Sequence, residues 1–114
     1  MEKVSAQYGD IKVLWDATLT ISQGEMVSMV GSNGSGKTTL INTIIGMIHP
    51  TSGSIEFLGR PIHNMPPHKT VEMGISVIPE GRKLFPEMTV LENLELGAYL
   101  PKARKRIPET LRWV

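Results

Sequence analysis

A chain of 114 residues suits a single domain able to bury roughly two thirds of its unfolded surface. Hydrophobic residues at 40% and charged residues at 20% are globular values, and a formal net charge of +1 gives no general attraction to nucleic acid. The absence of cysteine excludes disulfides and thiolate metal sites. Met1-Glu2-Lys3-Val4-Ser5 carries no apolar signal core, and the apolar stretch from Leu40 to Ile48 is broken by Asn42, Thr43 and Gly46. A cytosolic protein is the default reading.

In chain order, residues 11 to 22 alternate apolar and polar side chains in two short runs split by Asp16, the pattern of half-buried antiparallel strands. Gln23-Gly24 marks a turn, and Glu25 to Val30 reads as a buried strand. The nine residues Gly31, Ser32, Asn33, Gly34, Ser35, Gly36, Lys37, Thr38 and Thr39 then fill every fixed position of G-x-x-x-x-G-K-[ST]. Each residue type has its own task there. Glycines at 31, 34 and 36 let the backbone take positive φ and approach a phosphate closely. Successive N–H groups form an anion nest backed by the positive end of the following helix. Lys37 supplies a mobile charge for the β- and γ-phosphates, and the Thr38 hydroxyl suits a Mg²⁺ ligand. The helix itself is expected to carry an apolar face at 40, 41, 44, 45 and 48.

Downstream, His49-Pro50-Thr51-Ser52-Gly53 breaks the pattern. Ser54 to Leu58 reads as a strand closed by Gly59-Arg60-Pro61, residues 62 to 70 as a loop or helix entry, and Gly74 to Pro79 as a β-branched strand. Thr89-Val90-Leu91-Glu92 is a capping box that opens a helix through about Tyr99, stopped by Pro101. The basic cluster Lys102, Arg104, Lys105 and Arg106 reads as a solvated linker. Ile107, Leu111 and Val114 then share one face of a helix that looks cut short.

The order of Tyr8-Gly9, Gly24-Glu25, Gly31 to Thr39, Pro50 to Gly53, and Leu84-Phe85-Pro86-Glu87-Met88-Thr89-Val90-Leu91-Glu92-Asn93-Leu94 resembles the ATP-binding subunit of ABC transporters over nearly the whole chain. Within that family, Pro79-Glu80-Gly81-Arg82-Lys83-Leu84-Phe85-Pro86 is most similar to the ATPases of branched-chain amino-acid importers, although polar amino-acid, amide and urea importers share much of the run. The resemblance implies an α/β P-loop fold. Its parts are an antiparallel β-subdomain (about 1–23 and 53–62), an incomplete parallel core, and a helical subdomain beginning near 89, so that 1–88 and 89–114 form the two expected parts. It implies Mg·ATP on Gly31 to Thr39, with Tyr8 stacked on adenine. Glu80 would stand where the family places a glutamine that touches Mg²⁺ and the attacking water, and Arg82, Lys83 and Phe85 on the surface that meets the membrane partner.

The implied partners are a transmembrane permease subunit and a second ATP-binding subunit, identical or not, on the inner face of the cell membrane.

The only aspartates are Asp10 and Asp16, both upstream of the phosphate loop. P-loop ATPases hold Mg²⁺ with an aspartate from a later strand. The family adds a catalytic glutamate beside it, a Ser-Gly-Gly signature and a late histidine. Its pattern places all of these, and two central strands lying between 25–30 and 74–78, in a half that would follow Val114. The 114 residues are therefore expected to bind ATP without competent hydrolysis and to show a core gap with unpaired strand edges. The alternative class is a stand-alone nucleotide-binding module that never hydrolyses. A GTPase or kinase is disfavoured because neither Asn-Lys-x-Asp nor Asp-x-x-Gly occurs.

Overall fold

The computed structural model describes residues 1–81 and 83–114, which form two compact units, Met1–Val77 and Ile78–Val114.

In the first unit, β1 (Glu2–Tyr8) and β2 (Ile11–Ala17) make an antiparallel hairpin across Gly9-Asp10, and β3 (Ser52–Ser54) adds to the other edge of β1, giving the order β2-β1-β3. β1 is the central strand, paired along both edges, and Val4, Ser5 and Ala6 are all buried rather than alternating. Ser5 carries a hydroxyl into that interior, and Asp16 answers it: Ser5 Oγ donates to Asp16 Oδ1 at 3.1 Å and accepts from the Asp16 N–H at 3.1 Å. This pairing explains why β2 runs through Asp16, where the alternation predicts a break. The second expected run, 17–22, is not a strand; Leu19 instead exchanges two backbone bonds with Met1, at 3.1 and 2.9 Å.

Helix α1 (Lys37–Ile44) buries Thr39, Leu40 and Thr43. It ends earlier than the apolar pattern implies, because Gly46, at φ +82, closes a Schellman turn. Met47 N–H bonds the Asn42 carbonyl at 2.9 Å and Gly46 N–H that of Thr43 at 3.3 Å. A Cβ at Gly46 would fall 2.3 Å from the Met65 carbonyl oxygen, so glycine also admits the chain leading into α2 (Pro67–Glu72). The expected strand 54–58 is divided. Ser52–Ser54 joins β1, whereas β4 (Glu56–Phe57) makes its own small hairpin with β5 (Arg60–Pro61). Val4, Ala6, Leu14, Leu40, Ile55 and Ile62 form the core.

The two segments read as core strands, 25–30 and 74–78, belong to no ladder. Met26 is 95% exposed, Val30 94% and Ile78 96%. Every strand pair among the described residues is antiparallel. The apolar sequence of these segments specifies burial between neighbours, and no described strand lies beside either one. The first unit also holds a cavity of about 480 Å³ lined largely by apolar side chains, among them Leu19, Ile21, Ile44, Ile55, Ile62 and Ile75.

In the second unit, α3 (Val90–Gly97) carries the predicted capping box. Glu92 N–H donates to Thr89 Oγ1 at 3.3 Å, while Glu92 Oε2 accepts from the Thr89 N–H at 2.7 Å and its hydroxyl at 2.8 Å. Pro101 does more than stop this helix: it opens a short α4 (Pro101–Arg104). α5 (Ile107–Thr110) and a 3₁₀ turn (Leu111–Trp113) follow, with Val114 exposed rather than on a buried face.

Two outcomes follow from these contacts. A Cβ on Gly53 would stand 2.4 Å from the Lys3 carbonyl oxygen and 2.6 Å from that of Glu2, at a residue whose φ is +86. Gly53→Ala should therefore cost more than about 2 kcal/mol, since left-handed strain and a main-chain clash add; an unshifted urea midpoint would contradict the strand placement. The Thr89 N–H and hydroxyl hold the Glu92 carboxyl below the usual carboxylate range. The cap is thus at full strength above the ordinary glutamate pKa and is lost as pH falls through the lowered value. Far-UV circular dichroism should report a helix loss on acidification that Glu92→Gln, which keeps an acceptor, flattens.

Candidate functional site

The turn at 31–37 is built from three constraints. Ser35 N–H bonds the Ser32 carbonyl at 3.2 Å, and Gly34 sits inside that turn at φ +82, a conformation that costs other residues strain. Gly31 comes so near Ser35 that a Cβ there would meet Ser35 Oγ at 2.6 Å. Gly36, at φ +92, is the N-cap of α1 and is buried against β2, where a Cβ would lie 3.5 Å from the Val13 carbonyl oxygen and 3.8 Å from Leu14 Cδ1. Sequence pattern alone does not reveal that last contact, which ties the loop to the hairpin.

Lys37 closes the loop. Its Nζ donates to the Gly31 and Ser32 carbonyls, each at 2.7 Å, and approaches Ser35 Oγ at 3.4 Å. A mobile ammonium is thereby held among the residues of the turn. The start of α1 has no side-chain cap and no acidic residue in its first turn. Its first N–H groups, which helix geometry leaves without intrahelical acceptors, carry the positive end of the helix dipole. The contrast with α3, whose N-terminus is sealed by its own Glu92, is direct. Thr38 is exposed at this end, whereas the Thr39 side chain is buried, leaving Thr39 its main chain to offer. Glycine freedom, a lysine and an open helix start together fit a polyphosphate with its cation.

The other named residues stand as follows. Tyr8 ends β1 opposite Ile11 and is 49% exposed, on the hairpin whose second strand touches Gly36. Glu80 is an exposed residue of the second unit, as are Lys83 and Phe85. Arg82, expected on the partner-facing surface, lies outside the described residues. Among the described residues, no cluster of three or more histidines or acids is placed to hold a metal ion, and no helix is long and apolar enough to cross a membrane.

The chain resembles known proteins over most of its length. Residues 14–114 match the family model described as ABC transporter. The high-affinity branched-chain amino acid transport ATP-binding protein BraG of Pseudomonas aeruginosa is 40% identical over 86% of this chain and 42% of its own length. A probable branched-chain amino acid transport ATP-binding protein, LivF of Archaeoglobus fulgidus, is 36% identical over 85% of this chain and 41% of its own. A solved ATP-binding subunit of an ABC transporter superposes with a TM-score of 0.76 at 34% identity, covering 97% of this chain and 48% of that one. The chain thus spans less than half the length of these relatives.

Proposed function

The chain belongs to the ABC transporter family and has the fold of its P-loop ATP-binding subunits, and from that premise we propose that it binds Mg·ATP for a transporter importing branched-chain amino acids. The observation that carries the reading is the phosphate loop: glycines at positive φ, Lys37 inside the turn and the uncapped start of α1. Gly31 to Thr39 would hold the phosphates, Lys37 the β- and γ-groups and Thr38 the Mg²⁺, with Tyr8 against the base. Bound Mg·ATP supplies the phosphoanhydride bond whose cleavage powers transport. Glu80 is assigned to the cation and the attacking water; its carboxylate needs Mg²⁺ present to offset its repulsion of the γ-phosphate. The solute assignment draws on the Pro79–Pro86 run and on the names of BraG and LivF. A permease subunit and a second ATP-binding subunit complete the proposed assembly, at the cytoplasmic face of the membrane.

A second reading, nucleotide binding without turnover, has its own support. Of the two aspartates, Asp16 is occupied by Ser5 within the β1–β2 sheet and Asp10 lies in the hairpin turn, so neither ends a later strand beside the loop. These residues alone should bind and not hydrolyse.

Calorimetry tests the binding claim. Lys37→Ala should abolish Mg·ATP binding, and Tyr8→Ala should weaken it by about tenfold, since base stacking is worth ~1–3 kcal/mol; unchanged affinity in the lysine variant defeats the assignment. Phosphate release by the purified 114-residue chain should stay at background, and Lys37-dependent release would overturn the view that the machinery here is incomplete.

A further inference from the structure

Asn93 lies in the first turn of α3, where a charged or aliphatic residue would favour the helix more. Its side chain is spent elsewhere. The carboxamide Oδ1 accepts from the Phe85 N–H at 3.0 Å, and Nδ2 donates to the Phe85 carbonyl at 3.1 Å, the Met88 carbonyl at 3.2 Å and the Thr89 carbonyl at 3.0 Å. With only two N–H bonds on Nδ2, at least one is shared between acceptors. One amide therefore grips both main-chain polar groups of Phe85 and the end of the loop where it enters α3. The loop's own contribution is one bond, Met88 N–H to the Phe85 carbonyl at 3.1 Å. The capping box fixes the helix from which Asn93 projects. What the clamp leaves free is the apolar side chain: Phe85 is 54% exposed, and Leu84 beside it is exposed too.

We propose that Asn93 is a positioning residue for subunit docking, holding Phe85 in the conformation the membrane permease meets. This rests on the reading above that Phe85 faces that partner. A backbone pinned at both N–H and C=O, with its ring left in solvent, is organised before binding, so docking loses less loop entropy. Asparagine is the residue the arrangement needs. Aspartate keeps the acceptor and the shape but removes both donors and sets a charge against three carbonyl oxygens; glutamine overreaches by a methylene.

The test compares Asn93→Ala, Asn93→Asp and Phe85→Ala. Three quantities are read: amide exchange at Phe85, Mg·ATP affinity, and association with the co-expressed permease subunit. Asn93→Ala should speed exchange at Phe85 by about tenfold or more, the loss of roughly one hydrogen bond, whereas Asn93→Asp keeps that acceptor and loses only the donors. Both Asn93 variants should weaken permease association as far as Phe85→Ala does, while Mg·ATP affinity stays within twofold and helix content is unchanged. If Phe85→Ala weakens association and the Asn93 variants do not, the positioning role is wrong and the partner-facing surface survives. If exchange at Phe85 is unaltered in Asn93→Ala, the clamp does not restrain the loop and the proposal fails. If no variant weakens association, the reading of Phe85 as partner-facing falls, and the role of Asn93 with it.

Discussion

The Lys37 ammonium, set 2.7 Å from two carbonyl oxygens of its own turn, is the contact that closes the phosphate loop. The turn runs directly into a helix start, whose free N–H groups make that end electropositive. The lysine engages the carbonyl side of the same backbone, leaving the amide side to an anion. Its reach depends on where α1 begins, and α1 begins after Gly36, whose φ of +92 strains any residue with a Cβ. Gly36 thus sets the start of the helix, the helix the position of the lysine, and the lysine the shape of the loop.

What the sequence made legible was local. The capping box resides in a few neighbouring residues whose chemistry allows few conformations, and the structure carries it; the phosphate-loop pattern is as local, and in it Gly34 and Gly36 take the expected positive φ whereas Gly31 does not. Errors arose where distant chain decides. A break at Asp16 was read from alternation, but Ser5, eleven positions away, gives that carboxylate a partner and the strand continues. Residues 25–30 and 74–78 have the composition of buried strands but form none, since a ladder needs two sides and no described strand pairs with either, in keeping with the core gap that the resemblance implies. Pro101 stops the helix before it, and its fixed φ also suits the start of the next. Asn93 drew no notice, because its role is a closure onto a loop eight residues back that no motif encodes.

The two units treat their helix beginnings in opposite ways, and the difference parallels the tasks proposed for them. α3 is closed by its own capping box and braced by Asn93, and its first turn serves to hold a loop still. α1 is left uncapped, its stability drawn from Leu40 and Thr43 in the core and from the Schellman turn at its far end. Stability and availability are thereby separated along eight residues of one helix.

The pairing of Glu2 with Ser54 and of Ser5 with Ser52 has a consequence for how the molecule is made. The phosphate loop and α1 lie wholly within the span of chain that this pairing ties off. During synthesis the hairpin emerges early, but the sheet cannot gain its third strand until everything in between has left the ribosome. Closing a loop of that length costs chain entropy before the pairing returns any contact. Until it closes, one edge of β1 offers unpaired main-chain groups, a template for pairing with another chain.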